Sequence, residues 1–260
     1  LIGGLTFWFH TLELGGYHSF KNSINTKLLL NKMTIDILVA NENHTQYAQI
    51  IVDMIEDAAK KRGTGIAKRK PEYIEQKMLE GKAIIALENG TVAGFCYIES
   101  WGHDKYVANS GLIVSPKYRK GGLAHAIKQE IFNLSRKLYP KAKIFGLTTG
   151  LAVMKINSDL GYEPVTYSEL TQDEEFWKGC QSCVNFEILK MKERKNCMCT
   201  AMLYDPKEKK HEAAKEFAEE LQKKPKLYER FMRIKQRLIE KNKGNNDLKS
   251  LLLFLALISK

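Results

Sequence analysis

The feature that most constrains this chain is a basic, glycine-containing turn at residues 114–124, VSPKYRKGGLA. An apolar, strand-like segment precedes it, and a helix over about residues 123–138 is predicted to follow. A helix N-terminus presents unpaired backbone N–H groups and a partial positive charge, and glycine lets the backbone approach an anion closely. The turn therefore predicts a phosphate or pyrophosphate site, with Arg119 and Lys120 adding charge at its rim.

Two common phosphate-binding patterns do not fit this turn. A phosphate loop of the NTPase type requires Gly-Lys followed by Ser or Thr, and a dinucleotide-binding turn requires Gly-x-Gly-x-x-Gly; neither occurs at residues 114–124. The alternative without a ligand is a solvated basic turn between a strand and a helix. The flanking strand, the proline and the helix together favour the anion site.

The spacing Val-x-Pro-x-x-Arg-x-x-Gly-x-Ala resembles the acyl-CoA pyrophosphate loop of the GNAT N-acetyltransferases. The resemblance implies an acyltransferase with acetyl-CoA or succinyl-CoA as co-substrate and no metal. It also implies that strand backbone N–H groups bind the pantetheine arm and polarise the thioester carbonyl. The cofactor-binding residues implied are Leu112, Ile113, Val114, Arg119, Lys120, Gly121, Gly122, Leu123 and Ala124.

The predicted order of elements, β-α-α-β-β-β-α-β-α-β-β, belongs to the α/β class, an α+β mixed sheet with helices on its faces, and it resembles the GNAT fold over residues 33–205. Asn89-Gly90 is a strong hairpin signal. The predicted strands are Thr34–Ala40, Lys82–Leu87, Thr91–Glu99, Lys105–Val114, Lys143–Thr148 and a closing hairpin of Val184–Leu189 with Cys197–Leu203. The predicted helices are Thr45–Lys61, Pro71–Glu80, Leu123–Leu138 and Leu151–Leu160.

Two further stretches resemble the acyltransferase domain of N-acetylglutamate synthases: the glycine-led, doubly basic segment 65–70, GIAKRK, and Leu-Thr-Thr at 147–149 with GYEPV at 161–165. The resemblance implies glutamate as acceptor, at the entry to arginine synthesis, without an amino-acid-kinase domain. Two carboxylates call for Arg and Lys donors. The substrate-binding candidates are Arg62, Lys68, Arg69, Thr148 and Thr149, and the alternative is a solvated basic loop.

The sequence departs from that family where the chemistry is done. Gly150-Leu151 replaces an expected Arg-Ser pair, Ala108 stands where an acidic residue is expected, and Asn157 falls near the place of a frequent tyrosine. The usual acid and base therefore cannot be transferred to this chain. The catalytic candidates are Glu99, His103, Asn109 and Tyr167, each of which could equally be structural.

Five cysteines, at 96, 180, 183, 197 and 199, form no regular framework and favour a reducing, cytoplasmic setting. Cys180-x-x-Cys183 with Cys197-x-Cys199 could form a zinc site. In the predicted hairpin, however, Cys183 would face about Met202 and lie roughly 10 Å from Cys199 along the strand. This register argues against zinc and favours packed or exposed thiols.

The chain has 260 residues and a formal net charge of +11, which favours anionic partners. No apolar stretch reaches the ~18 residues of a membrane span. Residues 1–32 are predicted to be an extension outside the core, and residues 206–260 a charged helical tail that packs on the domain or on a second subunit of a homodimer. A nucleic-acid-binding arm is disfavoured because acids are interspersed among the basic residues.

Overall fold

The computed structural model describes residues 25–30, 33–63 and 69–223, together with residues 229 and 233. Its centre is one mixed sheet of eight strands in the order β1-β2-β3-β4-β5-β6-β8-β7. Neighbouring strands are antiparallel except β5 and β6, which are parallel. The strands are β1 Asn25–Leu30, β2 Met33–Val39, β3 Ala83–Glu88, β4 Thr91–Trp101, β5 Tyr106–Val114, β6 Lys143–Thr148, β7 Glu163–Val165 and β8 Thr200–Tyr204.

The described residues include seven α-helices, and short 3₁₀ turns precede or follow several of them. Pro71 opens the second helix at its first position, where a missing N–H costs nothing. Gly63 ends the first helix in the left-handed conformation, with φ of 61°. The helices are α1 Ala48–Arg62, α2 Pro71–Leu79, α3 Leu123–Leu138, α4 Leu151–Asp159, α5 Glu174–Lys178, α6 Phe186–Met191 and α7 Pro206–Gln222.

The core has three parts. Successive side chains along a strand point to opposite faces of the sheet, and this alternation determines the part to which each residue belongs. Ile98 and Val107 point to the face that α3 covers, where they pack with Ile127 and Ile131. The opposite face packs against α1 and α2 on one half of the sheet. On the other half it packs against an aromatic cluster that includes Phe145, Tyr167 and Trp177. Side chains that alternate along β4 and β5 therefore enter different environments on the two sides of the sheet.

Most of the predicted elements are confirmed. The helix α3 and the strand β6 begin and end where the sequence predicted. Asn89 and Gly90 have φ of 46° and 77°, the two positive values that a type I′ hairpin turn requires. The fold class, α/β with a mixed α+β sheet, is also confirmed.

The predicted closing hairpin is wrong. The segment Val184–Leu189 does not form a strand, because Phe186–Met191 is a helix that buries Leu189. The predicted strand Cys197–Leu203 is present as β8, but its neighbours are β6 and β7. Helical spacing of Phe186 and Leu189 places both on the aromatic cluster under Tyr167, and this packing overrides the strand-like composition.

The two ends of the domain are also described in part. Asn25–Leu30 pairs along the whole of β2, so the part of the predicted extension 1–32 nearest the domain is a strand of its sheet. Residues 1–24 lie outside the described part of the chain. The helical prediction for the charged tail holds for Pro206–Gln222, while residues 224–228, 230–232 and 234–260 lie outside it.

Candidate active site

The predicted anion loop has the expected backbone geometry. Val114 ends β5, a 3₁₀ turn Pro116–Tyr118 follows, and α3 begins with Gly122 as its N-cap. No side chain caps this end of α3, and its first turn holds no acidic residue. Gly122 has φ of 85°, which a residue with a Cβ adopts only with strain. The first backbone N–H groups of α3 therefore face outward beside a glycine and can receive an anion.

Arg119 is bound at the base of this loop. Its Nε donates a 3.0 Å hydrogen bond to the carbonyl oxygen of Val114, the last residue of β5. Lys120 holds a positive φ of 68°. The loop thus has a fixed path from strand to helix, and its two cations lie at the N-terminal, positive end of α3.

A bulge in β5 opens the backbone next to this loop. Phe95 pairs with Ile113 while Tyr97 pairs with Ser110, so two residues of β5, Gly111 and Leu112, oppose one residue of β4. Gly111 has φ of 66°, and a Cβ there would lie 2.3 Å from Cε1 of Tyr97. Only glycine fits this position, and the bulge interrupts the regular pairing of backbone groups where the cofactor-binding strand was predicted.

A cleft follows from the short pairing of the two parallel strands. β5 and β6 pair at three positions, the last of which joins Ala108 to Phe145. Beyond this point they diverge, and a cavity of about 680 Å³ passes between them. Leu112 lines the cavity on one side, and Leu147, Thr148 and Thr149 line it on the other. The predicted candidates Thr148 and Thr149 are therefore both in the cavity wall.

Glu99 lies in this cavity and accepts hydrogen bonds from two neighbouring elements. The hydroxyl of Tyr73 on α2 donates to Oε1 of Glu99, and Oγ of Ser110 on β5 donates to Oε2 over 3.0 Å. Glu99 is the predicted catalytic candidate that the structure places best, because its carboxylate is held in position and faces the cavity.

Arg69 stands beside this carboxylate. Its Nε donates a 2.7 Å hydrogen bond to the hydroxyl of Tyr97, and its Nη2 lies 3.9 Å from Oε1 of Glu99. The guanidinium also lies 5.5 Å from the centre of the Tyr73 ring. Arg69 is therefore a fixed cation in the cavity wall. Of the other two basic candidates, Lys68 and the side chain of Arg62 lie outside the described residues.

The other three catalytic candidates have different positions. His103 is exposed in the turn between β4 and β5, outside the set of residues that line the cavity. Asn109 lines the cavity, but it donates to Oγ of Ser135 over 2.7 Å and accepts from Tyr162 over 2.9 Å, so it joins α3 to the sheet. Tyr167 is buried and donates to the carbonyl oxygen of Cys199 over 2.8 Å. Asn109 and Tyr167 therefore hold neighbouring elements together, and the catalytic roles predicted for these two residues and for His103 stay predictions.

Several cavity residues were not predicted. On the Glu99 side they include aromatic rings, with Trp101 and Phe176 at 5.1 Å between centroids. On the α3 side, Lys128 lines the cavity although it is only 2% exposed. Asn157 of α4 stands over Gly146, because a Cβ on that glycine would lie 3.5 Å from Nδ2 of Asn157. Of these residues, Lys128 could have been noticed in the sequence, because it is a lysine within the apolar face of α3.

The four cysteines of the Cys180–Cys199 region gather around a small cavity of about 30 Å³ beside the main one. All five cysteines of the chain are free thiols. Burial raises the pKa of Cys180 to about 11 and that of Cys199 to about 12. The separation of roughly 10 Å that was predicted between Cys183 and Cys199 assumed a hairpin that the structure does not contain. Within the described residues, however, no three His, Cys, Asp or Glu side chains form a group that could hold a metal ion.

Residues 51–151 of the chain match the model of the acetyltransferase (GNAT) family. The chain contains a GNAT acetyltransferase domain. The matched residues include β5, the loop of residues 114–124 and β6, so the predicted family and its assignment to the acyltransferases are confirmed over residues 51–151. No curated protein sequence matches the chain. Across the described residues, no helix is long and apolar enough to cross a membrane.

Solved structures of GNAT proteins resemble the chain at low identity. An N-acetylglutamate synthase from Neisseria gonorrhoeae, complexed with coenzyme A and N-acetyl-glutamate, is 14% identical with a TM-score of 0.47; the match covers 66% of this chain and 35% of that one. Rv2747 from Mycobacterium tuberculosis, in complex with CoA and NLQ, is 16% identical with a TM-score of 0.47, over 65% and 98% of the two chains. The putative acetyltransferase yncA from Salmonella typhimurium, with acetyl-CoA, is 15% identical with a TM-score of 0.47, over 66% and 94%. This chain spans about a third of the Neisseria protein.

Proposed function

We propose that the chain transfers an acyl group, acetyl or succinyl, from acyl-CoA to the amino group of glutamate, a reaction that would stand at the entry to arginine synthesis. The observation that carries this proposal is the single cavity between β5 and β6, which joins the bulge at Gly111 to the carboxylate of Glu99 and the guanidinium of Arg69. The end of the cavity at Gly111 suits a thioester, and the end at Glu99 and Arg69 suits an amino acid.

In the proposed reaction, acyl-CoA binds at the loop of residues 114–124. Its pyrophosphate binds the backbone N–H groups at the start of α3 and the cations Arg119 and Lys120. The pantetheine arm lies between the diverging strands, and backbone N–H groups of Leu112–Val114 donate to the thioester carbonyl oxygen as negative charge develops there. The apolar wall at Leu147 excludes water from this segment.

The acceptor binds on the opposite side of the sheet. Arg69 pairs with a carboxylate of glutamate, because a guanidinium presents two parallel N–H donors. Glu99 takes a proton from the ammonium group, directly or through one water, and the free amine then attacks the thioester carbonyl carbon. Tyr73 and Ser110 keep the Glu99 carboxylate oriented for that transfer.

A second acceptor class has an observation in its favour. The cavity wall also carries Glu72 and Glu175, so its acidic side chains match its basic ones, Arg69, Lys70 and Lys128, in number. Carboxylates at the acceptor end suit a cationic substrate such as another small amine or a protein amine. A GNAT of that kind, or a catalytically silent CoA-binding regulator, is the alternative.

One assay separates these functions. Thiol release from acetyl-CoA and from succinyl-CoA is measured with a panel of acidic, neutral and cationic amines, with Glu99→Gln as the matched inactive control. Glutamate turnover supports the proposal. Turnover with only neutral or cationic amines assigns the second class, and CoA binding without turnover of any amine assigns the regulator. We also propose a homodimeric state, which light scattering of the purified protein tests, and a cytoplasmic location, which fractionation of the source cells tests.

A further inference from the structure

Lys128 is a buried cation with an unusual environment. It lies on the stripe of α3 that faces the sheet and is 2% exposed, yet it lines the main cavity. Its Nζ lies 5.5 Å from the centre of the Tyr162 ring. Among the described residues, no carboxylate lies within ion-pair distance of it. A buried cation without an anion is costly, so this side chain calls for an anionic group from a ligand or for the loss of its proton.

The side of the sheet indicates which ligand group this is. Glu99 and Ser110 point to the side where Tyr73 of α2 and Arg69, which precedes α2, lie. Lys128 approaches from the other side, where α3 and α4 pack, and shares that side with Asn109 and Asn157. The anion loop is the N-terminus of α3 itself. Lys128 therefore belongs to the half of the cavity that the cofactor occupies, opposite to the group that activates the amine.

We propose that Lys128 is a catalytic residue that stabilises and protonates the coenzyme A thiolate as it leaves. This inference rests on the proposed acyl transfer. Glu99 first passes the ammonium proton to solvent through the cleft. The free amine nitrogen then bonds to the thioester carbonyl carbon, and the deprotonated Glu99 accepts the second proton, which the nitrogen loses as the amide forms. The carbon–sulfur bond breaks with its electron pair on sulfur, and the Lys128 ammonium passes a proton to that sulfur. Lys128 then regains a proton from solvent through the open cleft.

The surroundings of Lys128 suit this role. Desolvation lowers the pKa of Lys128, and a negative charge on the Cys96 sulfur would oppose that shift. A lowered pKa brings the ammonium closer in acidity to a thiol, which favours proton transfer between them. The titratable groups that face it are Cys96 from β4, whose pKa burial raises to about 11, and Tyr162, whose pKa burial also raises. Asn109 from β5 and Asn157 from α4 do not titrate.

Two variants test the catalytic role. Lys128→Met keeps the length and apolar stem without the charge, and Lys128→Arg keeps the charge without an available proton. We expect Lys128→Met to lower kcat about 100-fold with less than a threefold change in KM for the acyl-CoA, and to remove the alkaline fall of the kcat–pH profile. Lys128→Arg should recover part of kcat but not the alkaline fall. The melting temperature of Lys128→Met should not fall, since the substitution removes an unpaired buried charge.

A binding measurement tests the contact without turnover. The ultraviolet absorbance of the thiolate is titrated for CoA bound to the wild type and to Lys128→Met, with desulfo-CoA as the blank for the protein's own thiols. The bound thiol should titrate about one pH unit lower in the wild type. Equal titration in both proteins, or an unchanged kcat in a folded Lys128→Met, overturns the proposal. If no amine is turned over but the shift is present, the proposed function fails and the Lys128–thiolate contact stands.

Discussion

Ser110 on β5 donates a 3.0 Å hydrogen bond to the carboxylate of Glu99 on the neighbouring strand β4. The next residues of β5 are the bulge, Gly111 and Leu112. The same stretch of strand therefore positions a carboxylate through its side chain and opens backbone groups through its irregular pairing. Ser110 and Gly111 are adjacent, so neighbouring residues of β5 join the proposed base, Glu99, to the proposed thioester site.

Glu99→Gln should lower kcat about 100- to 1,000-fold, because it removes a proton acceptor while keeping the shape that Tyr73 and Ser110 contact. Calorimetry with CoA should give an unchanged dissociation constant. Glu175→Gln is the matched control, since Glu175 lines the same cavity but makes its hydrogen bond to Lys178 at the exposed end of α5. An equal loss in both variants would assign the effect to the charge of the cavity and not to proton transfer.

Gly122→Asp should severely weaken CoA binding in a folded protein, because it places a negative charge where the pyrophosphate is proposed to bind. Gly122→Asn is the matched control. Asn and Asp share the same tolerance of the positive φ at this position, and a Cβ there contacts no atom within 4 Å. Calorimetry should show at least a tenfold weaker binding of CoA to the Asp variant than to the Asn variant. Equal affinities would exclude the loop as the pyrophosphate site.

Arg69→Ala should raise KM for glutamate about ten- to a hundredfold and leave KM for the acyl-CoA nearly unchanged, because it removes one charged donor to a carboxylate. Arg69→Lys should recover little of this loss, since an ammonium lacks the planar fork. Lys77→Ala is the control: Lys77 also lies over the Tyr73 ring, at 4.9 Å, but does not line the cavity. Parallel changes in both KM values after Arg69→Ala would show that Arg69 acts on folding or on the cofactor.

Gly111→Ala should lower the free energy of unfolding by about 2–4 kcal/mol, through a clash with the Tyr97 ring and an unfavourable positive φ. Gly63→Ala isolates the backbone part, because Gly63 has a similar φ of 61° and no atom within 4 Å of a Cβ. Urea denaturation should give a clearly smaller loss for Gly63→Ala. In a Tyr97→Ala background the cost of Gly111→Ala should shrink, and an undiminished cost would mean that the ring is not the obstacle.

The pair Lys143–Asp205 should contribute stability that depends on pH. Nζ of Lys143 and Oδ2 of Asp205 lie 2.8 Å apart. Burial alone would raise the pKa of Asp205, but hydrogen bonds from Lys143 and from the N–H of Lys207 outweigh it and hold the pKa below its usual range. A lowered folded-state pKa gives stability that is present above the unfolded pKa of about 3.9 and is lost as pH falls.

Asp205→Asn tests this pair, because Asn still caps a helix but carries no charge. The variant should be less stable than the wild type by about 1 kcal/mol at neutral pH, given that Lys143 is partly solvated. In urea titrations the difference should begin to shrink as pH falls towards the unfolded pKa of about 3.9, and it should vanish only below the lowered folded-state pKa of Asp205. A difference that stays constant down to pH 2 would show that the lost interaction is a neutral hydrogen bond.

The sequence predicted those elements in which periodicity and end signals agree. The helix α3 has buried Leu123, Ile127, Ile131 and Leu134 on one face and begins after a glycine, and its bounds were predicted correctly. The loop was predicted for the same reason, since its chemistry lies in local backbone and glycine placement. Glu99 and Arg69 were named as candidates, but their closeness depends on how α2 packs on β4, which no local pattern contains.

Three features were not predicted from the sequence. The segment Val184–Leu189 has strand-like composition, and tertiary packing makes most of it helical. The bulge at Gly111 had a signal, since an isolated glycine inside a strand often marks one. Lys128 also had a signal, a cation within an apolar stripe, but its cavity exists only once β5 and β6 diverge.

The three-position pairing of β5 with β6 has a consequence for how the domain opens. It is the one junction between the described strands β1–β5 and the group β6, β8 and β7. Amide hydrogens of β6 near Thr148 should therefore exchange with solvent sooner than those of β4, through partial separation of the two halves. A cofactor bound across the gap would bridge both halves, so saturating CoA should slow exchange on both sides of the gap together. It should also raise the melting temperature with the logarithm of its concentration, once that concentration exceeds the dissociation constant.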